Sequence, residues 1–173
     1  STEDGTGGVA ERLLGKERLP LDEILETREL AVGDTMIDIG ANIGTTSIPR
    51  VVLGDFRTVY AVEPDETNYA CLVHNVIANG VEGVVLPDRV ALGDQTGELT
   101  LRRARSGTHH PVVAPSAVAE AERMVVPCLT LDDWVTRRGV DLQRVTFIKS
   151  DTQGWDLKVL AGQHFQVPSL GVG

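Results

Sequence analysis

An α/β fold with a doubly wound, mostly parallel sheet is what this 173-residue sequence predicts, and three observations predict it. Short apolar runs alternate with amphipathic stretches between residues 35 and 160, the order expected when helices cover both faces of a parallel sheet. The first run, T-M-I-D-I at 35–39, passes straight into a turn with glycines at Gly40 and Gly44. The second, T-V-Y-A-V at 58–62, ends in Glu63-Pro64, so acidic residues mark two successive strands near the ends where open α/β sheets bind ligands.

Each element follows from local pattern. Residues 19–30 carry Leu21, Ile24 and Leu25 among acidic residues, the spacing of a short amphipathic helix leading into Val32-Gly33-Asp34. Met36, Ile37 and Ile39 make a near-continuous apolar run around Asp38, as a strand buried on both faces requires. Residues 45–53 are expected to be helical, with Pro49 held to the first turn because it lacks an N–H. Asp65 is placed to N-cap a helix through Ala78 with Leu72, Val73, Val76 and Ile77 as its apolar stripe, and Asn79-Gly80 ends it. Residues 84–92 read as a third strand interrupted by Pro87-Asp88. The turn Gly93-Asp94-Gln95-Thr96-Gly97 precedes alternation in Glu98-Leu99-Thr100-Leu101, the mark of an added antiparallel strand. Residues 104–122, rich in Ala, Ser, Pro and His without periodicity, are expected to form a mobile insertion. A short strand at 124–129, a short helix at 131–138, a buried strand at 145–149 ending in Ser150-Asp151, and a helix at 154–160 complete the pattern.

The turn after the first strand is built for close approach. Gly40 has no Cβ to keep a ligand or helix from the backbone, and Asn42 is among the few other residues that tolerate left-handed φ. A dinucleotide fold would read G-x-G-x-x-G, with the pyrophosphate on a helix N-terminus. Here the pattern is D-x-G-x-x-x-G, with Asp38 two residues before the first glycine. An acidic group there attracts a cation and repels a diphosphate. S-adenosylmethionine carries a sulfonium and an ammonium and no phosphate, so it fits better. Glu63, about twenty residues past the turn, is placed to accept both ribose hydroxyls. The competing reading has Asp38 and Glu63 capping loops and helix N-termini, where carboxylates are common.

Bulk properties narrow the function further. With 42% hydrophobic residues the chain is long enough for one sizeable core. A flexible segment at 1–18 followed by one domain at 19–173 is the expected organisation. A net charge of −9 argues against nucleic acid or an anionic membrane as partner. Arg102, Arg103 and Arg105 are the one notable basic cluster and read as a solvated strand end. Cys71 and Cys128 lie in apolar segments without metal-ligand spacing and are expected to be buried free thiols. No apolar run approaches the roughly eighteen residues of a bilayer span, and no leader pattern opens the sequence, so a cytoplasmic protein is expected.

Taken together, these segments resemble the FkbM family of S-adenosylmethionine-dependent methyltransferases from about Val32 to Gly162. The motifs that carry the resemblance are D-I-G-A-N-I-G at 38–44, V-E-P at 62–64, Asn75 with Asn79, A-L-G-D and the following G-E-L within 91–99, T-L-D-D at 130–133, and I-K-S-D-T-Q-G-W-D at 148–156. The resemblance implies a Rossmann-like class I methyltransferase fold, S-adenosylmethionine as cofactor, and methyl transfer to a hydroxyl of a small-molecule or saccharide acceptor. It implies that Asp38, Gly40, Asn42 and Gly44 face the methionine moiety, that Glu63 binds ribose, and that Asp94 contacts the adenine amino group. Two departures stand out. Gln153 replaces the acid of the family's D-x-E-G, and the family continues through further strands beyond the helix near Gly154, so the C-terminal strands are expected to be missing. An edge left open by them would leave room for a homo-oligomer.

Methyl transfer is an in-line displacement, so the protein mainly aligns acceptor oxygen, carbon and sulfur. A hydroxyl is a poor nucleophile at neutral pH and calls for a general base, and Asp151 at the end of the fourth parallel strand is the candidate. The alternative is that Asp151 caps the following helix. No cluster of His and carboxylates has ligand spacing, so no metal is expected. His109 and His110 in the insertion read as solvated residues that could reach an acceptor, and Trp155 as packing or an acceptor wall. Two other functions remain open at this stage: an inactive or incomplete cofactor-binding domain acting by association, and a NAD-dependent oxidoreductase disfavoured by the glycine spacing.

Overall fold

The structure, a computed structural model, describes residues 35–102, 110–111 and 123–165. The expected flexible segment at 1–18, the helix at 19–30, Arg103, Arg105, His109 and most of the 104–122 insertion lie outside the described residues. Strand β1 is Thr35–Ile39, β2 Thr58–Val62, β3 Val85–Asp88 and β8 Val145–Ser150, and together they form a four-stranded parallel sheet in the order β3-β2-β1-β8. The order reverses direction at β1, where the chain first winds outward to β3 and later returns to lay β8 on β1's other side. That is the switch point at which such sheets open a crevice.

Both faces of this sheet are covered, as a doubly wound fold requires. Period-two alternation sends Met36 to one face with Val59, Ala61 and Phe147, where they pack with Ile48 of helix α1 (Ser47–Val52) and with Leu72 and Val76 of helix α2 (Glu66–Ala78). Ile37, Ile39, Val62 and Ile148 go to the other face. There they meet Trp134 and Val135 of helix α3 (Leu131–Arg138) and Val159 of helix α4 (Asp156–Ala161). Burying a side chain of this size contributes about 1.5–3 kcal/mol.

The caps explain where helices start. Asp65 accepts the N–H of Asn68 at 2.7 Å at the head of α2. Thr130 accepts the N–H of Asp133 at 3.1 Å at the head of α3, and Gly139 with φ 67° closes that helix. Helix α4 begins two residues later than its pattern predicts, because Gln153 (φ 56°) and Gly154 (φ 90°) leave the helical region.

Three expectations need correction. The run at 84–92 is two strands: β3 pairs with β2, while β4 (Ala91–Gly93) crosses into a second sheet and pairs in parallel with β7 (Arg123–Thr130). Pro87 cannot donate to a ladder, and it is tolerated because β3 is an edge strand. The second sheet runs β4-β7-β5-β6, with β5 (Gly97–Arg102) antiparallel to both β7 and β6 (His110–Pro111), so the parallel and antiparallel pairings are largely segregated. The cysteines are both free, but Cys71 is exposed, one position off the Leu72 and Val76 stripe that α2 buries. Ile77, 57% exposed, also falls outside that stripe.

Candidate functional site

A cavity of about 160 Å³ opens where β1, β2 and β8 end. One wall is the turn after β1, with Gly40, Asn42, Thr45 and Thr46. A second is Glu63, Pro64 and Asn68, a third Val90, Ala91 and Leu92 with Leu99 and Leu101 of β5, and a fourth Lys149, Asp151, Thr152, Gln153 and Trp155.

The β1 turn is shaped by two close approaches. The N–H groups of Gly40 and Ala41 both donate to the Val62 carbonyl, at 2.9 and 3.0 Å, which seats the turn on the end of β2. Gly40 has φ 77°, and a Cβ there would collide with the Asp151 carbonyl oxygen. Its glycine therefore lets the β1 turn lie directly on the loop after β8. Gly44 has φ 94°, and its Cβ would press on the side chains of Ile48 and Leu72, so this glycine serves helix packing and does not line the cavity. Asn42 takes φ 53° and is on the cavity wall.

Glu63 is 6% exposed. Its Oε2 accepts the Asn42 N–H at 2.9 Å and its Oε1 the Asp65 N–H at 3.0 Å. Burial raises its pKa above the ordinary glutamate value; these two N–H groups and the Asn68 side chain pull it back, and the nearby Asp65 charge adds to the rise. A carboxylate offers about four lone-pair sites, and the Asn42 N–H, the Asp65 N–H and the Asn68 side chain engage three of them, so some acceptor capacity remains.

Asp38 is 0% exposed, and both its oxygens are taken: Oδ1 by the Lys149 ammonium at 2.8 Å and Oδ2 by the Ser47 hydroxyl at 2.6 Å. It does not reach the cavity wall, so the cation it attracts is a lysine of its own chain. The pairing follows from register, since Asp38 and Lys149 sit directly opposite each other on β1 and β8. Burial alone would push the Lys149 pKa down. The charge and hydrogen bond of Asp38, with Asp151 and Asp156 adding, outweigh it and hold Lys149 above the usual lysine value. Lys149, Ser47 and Asn68 were not singled out from sequence. The lysine lies inside the I-K-S-D segment, but nothing local shows what stands opposite it.

Asp151 lies on the cavity wall with an exposed side chain. It does not secure the loop before α4. Asp156 does, its Oδ1 accepting from the Ser150 hydroxyl at 2.6 Å, the Thr152 N–H at 2.9 Å and the Thr152 hydroxyl at 2.8 Å. Asp94 stands apart: its carboxylate meets Lys158 at 2.6 Å, which lowers its pKa, and it does not line the cavity. Trp155 both packs against the core cluster that contains Ile37, Ile39 and Val159 and lines the cavity, with Lys158 5.9 Å over its ring. His164 pairs with Asp132 at 2.8 Å, away from the cavity wall. Among the described residues no group of three or more His, Cys, Asp or Glu is arranged to hold a metal, and no helix is long and apolar enough to cross a membrane.

Residues 38–170 match the Methyltransferase FkbM domain family. Among solved structures, the methyltransferase FkbM from Methylobacillus flagellatus KT aligns with 75% of this chain at 21% identity and a TM-score of 0.50. This chain spans 28% of that structure. Its likeness supports the fold. The human methyltransferase 10 domain containing protein aligns with 90% of the chain and 48% of its own at 11% identity and a TM-score of 0.41. TrmK from M. capricolum, solved with S-adenosyl-homocysteine, aligns with 42% and 31% at 16% identity and a TM-score of 0.37. No curated protein gives a significant match.

Proposed function

The chain belongs to the FkbM methyltransferase family, and from that premise we propose that its cavity binds S-adenosylmethionine and serves methyl transfer to a hydroxyl oxygen of a sugar or natural product. The observation that carries this reading is Glu63, a buried carboxylate on the cavity wall that two N–H groups and the Asn68 side chain of its own chain hold without filling its acceptor capacity. A ribose hydroxyl matches that remaining capacity. Val90, Ala91 and Leu92 supply an apolar wall suited to a purine face. The residues present thus fit the cofactor, which when bound supplies an electrophilic methyl group.

The remaining chemistry belongs to the chain. Thr45, Thr46 and the Asn42 turn shape the wall next to β1, and Asp151 is the candidate to take the acceptor hydroxyl's proton. Its exposed carboxylate does not secure the loop before α4, a role Asp156 fills. Asp94, paired with Lys158 off the cavity wall, is not given an adenine contact, and neither Asp38 nor Gly44 a direct cofactor contact.

Calorimetry with S-adenosylhomocysteine and NAD on the purified chain, repeated on Glu63→Ala, tests the reading. Binding of S-adenosylhomocysteine alone, lost in the variant, supports it, and binding of NAD alone would replace it with a nicotinamide enzyme. Transfer of labelled methyl from S-adenosylmethionine to a panel of hydroxylated acceptors then separates an enzyme from a domain that works by association.

A further inference from the structure

We propose that Lys149 binds the carboxylate of the cofactor's amino-acid moiety, an assignment that rests on the cavity being an S-adenosylmethionine site. The acidic position two residues before Gly40 is the natural candidate for the methionine end, yet Asp38 is fully buried and its charge is already met. What reaches the cavity in its place is the other member of the pair. Lys149 is on the cavity wall, with its side chain 16% exposed.

Its ammonium has three donors. One is given to Asp38 at 2.8 Å, and a second reaches the Gly40 carbonyl at the limiting distance of 3.5 Å. Among the described residues no further acceptor engages it, so donor capacity remains at the turn that the amino-acid moiety would face. The position along the sheet agrees. Glu63 follows β2, and Lys149 lies on β8, two strands away in the order β2-β1-β8. At about 4.8 Å per strand that is roughly 10 Å, a span suited to reaching from a ribose to an extended methionine carboxylate. Asp151 also faces this ammonium, and Asp156 contributes at a distance, but Asp156 is engaged by Ser150 and Thr152. Asp38 fixes the lysine's position and keeps it charged, and the lysine presents that charge to the ligand.

The test compares S-adenosylhomocysteine with 5′-methylthioadenosine, which keeps the nucleoside and lacks the amino acid. Calorimetry is run on the wild-type chain, on Lys149→Met, and on Asp38→Asn combined with Lys149→Met, which leaves no buried charge behind. The expected result is a loss of about 10- to 100-fold in affinity for S-adenosylhomocysteine in both variants, with methylthioadenosine binding unchanged. Equal affinity of wild type and the double variant for S-adenosylhomocysteine would overturn the assignment, as would a parallel loss of both ligands in the double variant. If the wild-type chain binds neither nucleoside, the cofactor reading itself fails and this assignment with it.

Discussion

The ends of β1 and β2 each bury one acidic side chain, and the two are stabilised in opposite ways. Asp38 meets a lysine across the sheet and a serine hydroxyl at the head of α1, fully buried and off the cavity wall. Glu63 meets N–H groups from Asn42 and Asp65 and the Asn68 side chain, and it lies on the cavity wall. The first arrangement pins three elements together: β1, β8 and the head of α1. The second leaves a poised acceptor on a cavity wall. The first carboxylate is neutralised by a cation of its own chain and serves the scaffold, whereas the second is held by uncharged donors beside the cavity, where the proposed ligand would meet it.

The strongest way to break this contrast is to remove the scaffold carboxylate. Asp38→Ala strands the Lys149 ammonium in a largely buried site, and breaking such a pair costs about 3–5 kcal/mol. Urea unfolding should register that loss, and adding Lys149→Met should recover most of it. A single variant as stable as the wild type would show that the pair does not hold the sheet. Because the Lys149 pKa is raised, its stabilisation is fully present below the ordinary lysine value and is lost as pH rises through the higher folded value. The wild type should weaken at strongly alkaline pH in a way the double variant does not.

At Glu63 the larger effect should be on binding. Glu63→Ala is expected to cut S-adenosylhomocysteine affinity about 100-fold, close to 2.7 kcal/mol, the scale of one hydrogen bond to a charged group. Retained affinity in calorimetry would remove Glu63 from the site.

The contrast also explains what could be read from the sequence. Glu63 was legible because its setting is local: a short apolar strand, a proline, and a helix cap two residues on. Helix α3 was legible to the residue for the same reason, with Thr130 and Gly139 marking its ends. Lys149 was not, because its partner lies 111 residues away and only the β1–β8 register brings them together. The ion pair of Asp94 was hidden for a related reason. Asp94 follows a strand, as an adenine ligand would, but α4 packs near β4 and offers it Lys158. The split of 84–92 into β3 and β4 was hidden because an apolar run does not show which neighbour each half will pair with.

A smaller effect separates the two carboxylates by pH. In the proposed role Glu63 would accept a ribose hydroxyl as the ionised form, so S-adenosylhomocysteine affinity should fall as pH is lowered through its raised pKa, by at most about tenfold per pH unit. Stability runs the other way for this group. A carboxylate whose folded pKa exceeds its unfolded one contributes stability below the unfolded pKa and loses it as pH rises through the folded one. Binding thus weakens in the acidic range where the cost of burying the Glu63 charge disappears. Calorimetry from about pH 5 to 8 reads the first trend, and an affinity profile identical in Glu63→Gln would assign the titration elsewhere.

The finest adjustment is at Asp65, which caps α2 and adds its charge to the raised pKa of Glu63. Asparagine caps a helix about as well as aspartate, so Asp65→Asn should change stability by less than about 0.5 kcal/mol. Removing the neighbouring charge eases ionisation of Glu63. The pH at which S-adenosylhomocysteine affinity begins to fall should therefore move down, and because the Asp65 charge is the last and smallest of the influences on Glu63, the displacement should be the least of the effects described. An upward displacement would mean that the Asp65 N–H contact to Oε1, and with it the orientation of the carboxylate, depends on the cap's charge. The cradle around Glu63 would then be an ionic device like the one around Asp38, and the distinction between the two strand ends would collapse.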